Sequence, residues 1–245
     1  MKLTLDEPAV FKDGISILSD IITESTIEAT EDGLEVEAMD PANVSKVTFT
    51  IPKDAFSTYD VDDEAEIAIN FNNLQKILRR LNKNDTLVLE RQENKLKLIY
   101  KGSNTKTYYV PLIDLEDRSQ SLKDLDAEVN VSMPGKLLSE AIDDVDVVSE
   151  SVKFTAEPGK LTISAEGDMS RADVELTESE DVTIKTDGTQ TSRYSIEYLK
   201  NMIQARKICD EVTVRFSQNY PIMLDYDKED SASMNFILAP RVDNI

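Results

Sequence analysis

Apolar and polar residues alternate from Ile27 to Gly33 and on through Leu34, Val36 and Ala38, the pattern of a β-hairpin turning at a glycine. The pattern returns at Val152, Gly159, Leu161, Ile163 and Ala165, and the second half of the chain retraces the first at a period of about 125 residues. Leu74, Ile77 and Leu78 align with Leu199, Met202 and Ile203, and Leu87 and Leu89 with Val212 and Val214. Leu98 and Tyr100 align with Leu224 and Tyr226, and Pro111 with Pro240, the offset drifting only from 125 to 129.

Helical spacing predicts four helices: Pro8 to Thr23, Asn72 to Asn82, Pro134 to Val147 and Ser195 to Lys207, with Pro8 and Pro134 as starting residues. Val10, Ile17, Leu18 and Ile21 form one apolar stripe, and Leu137, Leu138, Ala141, Ile142 and Val145 another. Each half reads as strand, helix, several strands, second helix and further strands, which is the α+β class. Between the halves, Asp114 to Asp126 loses the alternation and becomes charged and polar, as a surface connector does. The expected division is an N-terminal domain over 1–113, a connector over 114–127 and a C-terminal domain over 128–245.

Composition narrows the chemistry. The 245 residues are 40% hydrophobic and 31% charged, enough apolar material for folded domains, and no apolar run approaches the roughly 18 residues a membrane helix needs. The start from Met1 to Leu5 lacks a secretion leader, so a soluble intracellular protein is expected. Histidine is absent, which removes Ser-His-Asp and Cys-His nucleophilic sites and His-ligated zinc. Cys209 is the single cysteine, and it reads as a small core residue. The seven glycines are dispersed and form no phosphate-cradling loop. No catalytic residue, metal or cofactor is therefore expected.

The net charge of −21 argues against ordinary nucleic-acid binding, which gains affinity by exchanging counterions for Lys and Arg. Such acidity suits molar salt, where screening lengths shrink to roughly 3 Å, and points to a salt-loving source. The run Asp60, Asp62, Asp63, Glu64 could hold a hard cation, but it lacks spaced ligands with a closing glutamate and reads as a solvated loop. Asp143, Asp144 and Asp146 read the same way. The cations gather on two predicted helices, Lys76, Arg79, Arg80 and Lys83 on one and Lys200, Arg206 and Lys207 on the other. A salt-bridged solvent face would explain either set, and their recurrence in both repeats points to phosphate contact; both readings stand. The C-terminal stretch Asn235 to Val242 (NFILAPRV) is either a last core strand or an apolar docking surface.

Three segments, AMDPANVS (Ala38 to Ser45), NFNNLQKIL (Asn70 to Leu78) and the terminal FILAPRV, resemble the proliferating cell nuclear antigen family of sliding clamps, and the likeness extends over essentially the whole chain. The resemblance implies a closed homotrimeric ring of two-domain subunits, each domain carrying two helices packed on antiparallel sheets, with strands outside and helices lining the hole. It implies a non-enzymatic processivity factor, nucleoid-associated in the cytoplasm, that encircles double-stranded DNA. Its partners would be a clamp loader, the replicative DNA polymerase, flap endonuclease and DNA ligase, docking through short glutamine-and-aromatic peptides. The acidity suggests a haloarchaeal member.

Carried onto this sequence, the resemblance adds Lys12 and Lys136 to the DNA-facing set. It implies a trimer interface between the strand 104–111, with Lys106, Tyr108 and Val110, and the strand 171–177, with Arg171, Asp173 and Glu175. A partner-peptide groove would use Met39, Asn43, Val44, Leu122, Pro221, Ile237, Leu238, Ala239, Pro240 and Val242. Asn43 stands where the family often has His, and Lys46 at a commonly apolar position. Two other classes remain: a metal-dependent acidic hydrolase using Asp60, Asp62 and Asp63, and a subunit of a heteromeric checkpoint-type clamp.

Overall fold

The computed structural model describes residues 1–61, 65–115 and 125–242. The chain divides into two compact units, one comprising Met1–Pro41, Val47–Ser119 and Lys228–Met234, the other Ala42–Lys46, Gln120–Asp227 and Asn235–Ile245.

The first repeat runs β1 (Lys2–Leu5), α1 (Ala9–Ile21), β2 (Glu24–Ala29), β3 (Gly33–Met39), β4 (Ser45–Pro52), β5 (Thr58–Asp60), β6 (Ala65–Asn70), α2 (Phe71–Leu78), β7 (Thr86–Gln92), β8 (Lys95–Lys101) and β9 (Thr105–Pro111). One sheet has the order β5-β1-β7-β8-β9, and β4-β3-β2-β6 follow one another in a second. Alternation decides which face each strand buries. In β8, Leu96, Leu98 and Tyr100 are buried while Lys95 and Lys101 are exposed. In α1 the buried face is Phe11, Gly14, Ile15, Ile17 and Leu18, with Val10 and Ile21 only at its margin. Each such aromatic or aliphatic side chain removed from water contributes about 2 kcal/mol.

Gly14 is required for that packing, because a Cβ there would stand 2.2 Å from the ring of Phe49 in β4. Both prolines that mark helix starts sit at the N-cap, Pro8 before α1 and Pro134 before the third helix. The second helix begins with Asn70 as N-cap, whose side chain accepts from the Asn73 amide at 3.1 Å. It ends at Leu78, four residues short of the predicted Asn82. Arg80 donates to the Ile77 carbonyl and Leu81 to the Leu78 carbonyl, tightening the last turn, and Asp85 then caps the Asn82 amide at 3.1 Å.

The second repeat copies this order: β10 (Val129–Pro134), α3 (Gly135–Asp146), β11 (Ser151–Glu157), β12 (Lys160–Glu166), β13 (Arg171–Thr177), β14 (Thr183–Lys185), β15 (Gln190–Ser195), α4 (Ile196–Met202), β16 (Glu211–Phe216), β17 (Ile222–Lys228) and β18 (Ala232–Leu238). A 3-10 turn, Ile203–Lys207, continues α4. The strands β14-β10-β16-β17 match β5-β1-β7-β8, and the four-stranded sheet β13-β12-β11-β15 matches β4-β3-β2-β6. The two hairpin glycines, Gly33 between β2 and β3 and Gly159 between β11 and β12, have φ of 152° and 78°.

Tyr100 in β8 and Tyr226 in β17 occupy corresponding places, fully buried, and neither hydroxyl finds a hydrogen-bond partner among the described residues. Burial pushes both phenols well above their ordinary pKa. Cys209 is buried and its thiol donates to the Asp227 carbonyl at 3.1 Å.

Candidate functional site

In the first unit α1 and α2 pack together. Gln75 Nε2 donates to Ser16 Oγ at 3.1 Å, and Lys12 Nζ donates to the Leu81 carbonyl at 3.0 Å, so Lys12 secures the end of α2. Lys76, Arg79, Arg80 and Lys83 are all exposed, and residues 71–83 contain no acid. Arg79 donates to Gln75 Oε1 at 2.9 Å, and none of the four enters an ion pair among the described residues. Because the helix stops at Leu78, three of these cations leave from its C-terminal end, where the negative end of the helix dipole favours them.

In the second unit Lys136 pairs with Glu140 at 3.5 Å, and Lys200 pairs with Asp146, which raises the lysine's pKa. Both are neutralised within the chain. Arg206 and Lys207, in the 3-10 turn, are exposed and carry no ion pair among the described residues. Gly135 lets Arg206 lie close to the start of α3, since a Cβ there would stand 3.2 Å from Arg206 Cβ. Of the nine cations expected to face DNA, Lys136 and Lys200 are tied to carboxylates and Lys12 to a carbonyl; the other six have no acidic partner among the described residues.

Strands β9 and β13 each end a sheet and are seven residues long, and no backbone hydrogen bond among the described residues reaches their outer edges. In β9, Lys106, Tyr108 and Val110 turn toward the buried face, where the Tyr108 ring lies 5.1 Å from that of Tyr100 and Val110 is buried. In β13, Arg171, Asp173 and Glu175 are exposed. Arg171 grips Asp173 through two bonds of 2.8 Å, which hold that carboxyl below its usual range, and Glu175 lies 3.7 Å from Lys160. The two expected sets therefore occupy different faces. Edge-to-edge pairing matches inner face with inner face. The inner residues of β13 are Ala172, Val174 and Leu176, half-buried against Ala165, Ile163 and Leu161, a parity that the alternation RADVELT carries.

The C-terminal surface belongs to the second unit. Asn43 takes a left-handed φ of 57°, leaving Asn43 and Val44 exposed, and the Val44 carbonyl accepts from the Ala239 amide at 2.9 Å. The Tyr220 carbonyl accepts from Tyr194 Oη at 2.7 Å and Ser192 Oγ at 3.2 Å, which seats Pro221. Ile237, Ala239 and Pro240 are half-exposed and Val242 is 83% exposed, an apolar strip at the surface. Leu238 does not join it. It is 2% exposed, because β18 buries its even-numbered positions. Met39 lies in β3 of the first unit, and Leu122 lies outside the described residues.

Arg241, absent from the expectation, anchors the strip: its amide donates to the Arg193 carbonyl at 2.7 Å and its guanidinium to the Glu150 carbonyl at 3.3 Å. Of the acidic run, Asp60 ends β5, and Asp62, Asp63 and Glu64 lie outside the described residues. No helix of the described residues is long and apolar enough to cross a membrane.

Residues 1–130 match the family model described as proliferating cell nuclear antigen, N-terminal domain, and residues 121–241 the corresponding C-terminal domain. Proteins named DNA polymerase sliding clamp are similar along nearly their whole length. That of Thermococcus fumicolans is 33% identical over 99% of both chains, and that of Nanoarchaeum equitans is 34% identical over 99% of this chain and 100% of its own. Among solved structures, PCNA from Thermococcus kodakaraensis superposes with a TM-score of 0.91 at 29% identity, covering 98% of this chain and 99% of that one. A chain of the PCNA2-PCNA3 complex from Sulfolobus tokodaii gives 0.90 at 28% identity over the same shares.

Proposed function

The chain belongs to the proliferating cell nuclear antigen family and is a non-enzymatic DNA sliding clamp, and from that premise we propose that it works as a closed homotrimer around double-stranded DNA. The observation that carries the proposal is the pair of long open edges, β9 in one unit and β13 in the other. Exposed edges of this length invite pairing with another chain, and a heterologous β9-to-β13 contact repeated around a rotation axis closes a ring. Ala172, Val174 and Leu176 then meet Lys106, Tyr108 and Val110 on the inner side, and the charges of Arg171, Asp173 and Glu175 rim the outer side.

Within the ring, Lys76, Arg79, Arg80, Lys83, Arg206 and Lys207 supply the phosphate contacts. Holding is topological, so strong affinity is unnecessary, and the charge of −21 supports work at high salt, where cations bridge acid to phosphate. The strip of Val44, Ile237, Ala239, Pro240 and Val242, with Asn43 and Pro221 beside it, takes the peptides of polymerase, flap endonuclease, ligase and clamp loader. Clients thereby gain effective concentration at DNA. The deciding experiment loads the protein with a clamp loader onto closed circular DNA and then cuts the circle. Retention before cutting and release after it is expected; equal retention on circular and linear DNA would refute encirclement.

A further inference from the structure

Three Asp-Gly dipeptides occur in the chain, Asp13-Gly14, Asp32-Gly33 and Asp187-Gly188. Such a pair carries an intrinsic reaction, because glycine has no Cβ to keep its amide nitrogen away from the preceding carboxyl. The fold decides which of the three can use it. Gly14 is buried in α1, where the helical ladder takes its amide and the Phe49 ring packs against it. Asp32-Gly33, in the turn between β2 and β3, is bonded on both sides. The Asp32 carbonyl accepts from the Lys53 amide at 2.9 Å, the Gly33 carbonyl from the Thr30 amide at 3.0 Å, and the Asp32 amide donates to Thr30 Oγ1 at 3.2 Å. Carbonyl and nitrogen of one peptide move as a plane, so these bonds fix the plane that must turn for the Gly33 nitrogen to reach the carboxyl.

Asp187-Gly188 lies in the loop between β14 and β15. Among the described residues, no backbone group bonds to the backbone of Asp187 or Gly188, and the exposed Asp187 side chain has no hydrogen bond or ion pair. The Gly188 amide makes one long contact, 3.5 Å to Thr186 Oγ1, and a Cβ on Gly188 would meet nothing within 4 Å. Thr186 Oγ1 donates to the Gly188 carbonyl at 2.7 Å, one peptide beyond the plane that must turn.

We propose that Asp187-Gly188 is a site of self-modification, at which the folded chain converts aspartate to isoaspartate and becomes a substrate for a carboxyl methyltransferase. The Gly188 nitrogen attacks the carbon of the Asp187 side-chain carboxyl and forms a new N–C bond. The amide proton and the carboxyl hydroxyl leave as water, closing a cyclic succinimide. Water then opens the ring. Opening at the side-chain carbonyl restores aspartate, whereas opening at the main-chain carbonyl routes the peptide through the side chain and frees the former main-chain carboxyl. Nucleophile and electrophile are neighbours in the chain, so the step needs no metal, oxidant or enzyme. The product lengthens the backbone where space is open, and β14 and β15 keep their pairings with β10 and β11. The freed carboxylate oxygen then takes a methyl group from a sulfonium donor, which leaves as a thioether.

The test incubates the full-length folded protein warm in mildly acidic buffer, digests it with trypsin and adds an isoaspartyl carboxyl methyltransferase with a labelled sulfonium methyl donor. Cleavage after Lys185 and Arg193 isolates residues 186–193, and cleavage after Lys12 and Lys46 isolates residues 13–46 with both other Asp-Gly pairs. Label is expected to accumulate in 186–193 with incubation time, and in 13–46 at least about tenfold more slowly. Asp187→Glu is expected to abolish the label in 186–193 and leave the circular dichroism unchanged. In urea, with helix and hairpin gone, 13–46 is expected to gain label as fast as 186–193. No label in 186–193 from the folded protein, or equal labelling of 13–46, would overturn the inference. A preference for 186–193 that persists in urea would place the selection in local sequence and overturn the role given to the fold.

Discussion

In the N-terminal unit the stretch 71–83 carries four exposed cations and no acid, whereas α3 of the C-terminal unit sets Lys136 among Glu140, Asp143, Asp144 and Asp146. The two repeats share a strand order, a helix order and hairpin glycines at matching places, yet 196–207, the counterpart of 71–83, carries Lys200, Arg206 and Lys207 with one acid, Glu197, and ties Lys200 to Asp146. Backbone architecture follows from buried positions, which both repeats keep. Exposed helix faces are free to diverge, and here, among the described residues, the divergence leaves four of the cations expected to face DNA without an acidic partner in one unit and two in the other.

Breaking the proposed ring gives the largest effect and asks whether its subunits join through the open edges of β9 and β13. Val174→Arg places a charge at a half-buried inner position of β13 without emptying the core. The mass measured by light scattering is expected to fall from about three subunits to one. A trimer that survives this change would move the interface elsewhere.

The charge contrast itself is tested next. Removing two free cations in Arg80→Ala/Lys83→Ala is expected to reduce the slope of log affinity against log salt by about 2, close to one unit per phosphate contact. Lys136→Ala/Lys200→Ala removes cations already tied to carboxylates and is expected to change the slope by less than about half a unit. Equal losses from the two double variants would end the asymmetry argument.

The hairpin glycines differ in degree. A Cβ at Gly33 would lie 2.2 Å from the Ile51 carbonyl oxygen, whereas at Gly159 the nearest atom is 3.8 Å away. Gly33→Ala is expected to cost about 2–3 kcal/mol and Gly159→Ala about 1 kcal/mol in denaturant unfolding.

The smallest effect is acid dependence. Glu90, hydrogen-bonded and paired with Lys97 in the first unit, and Asp173, bound by Arg171 in the second, both have pKa values below the ordinary carboxylate range. Folding lowers these values, so their contribution is complete above the unfolded carboxylate pKa of about 4 and is lost as pH falls through the lowered values. Carboxyl NMR titration is expected to place both midpoints below those of the exposed acids. Unshifted midpoints would remove these pairs from the account of either unit.

Alternation and the repeat made the strand order and the four helices legible, because burying one face of a strand or helix imposes a period on the sequence. Tertiary bonds leave no such period. The Lys12 bond to the Leu81 carbonyl joins residues 69 apart and fastens the end of α2. The end of α2 at Leu78 is set by an Asp85 cap that looks like any loop acid in an acidic chain. The C-terminal strip was visible in FILAPRV, but placing Leu238 within it ignored the strand's own parity.

The chain has no tryptophan, and Tyr100 and Tyr226 keep their hydroxyls buried at matching points of the two repeats. In an unfolded chain tyrosine ionises as pH climbs past about 10. These two phenols, and the equally buried Tyr194 of the second repeat, stay protonated until their own unit opens. Unfolding relieves them of that burial, so alkali favours the open chain across the interval between the unfolded and folded pKa values. Phenolate absorbance therefore carries a built-in readout of each half's opening, and replacing Tyr100 by phenylalanine leaves the signal of the second repeat, from Tyr194 and Tyr226, alone.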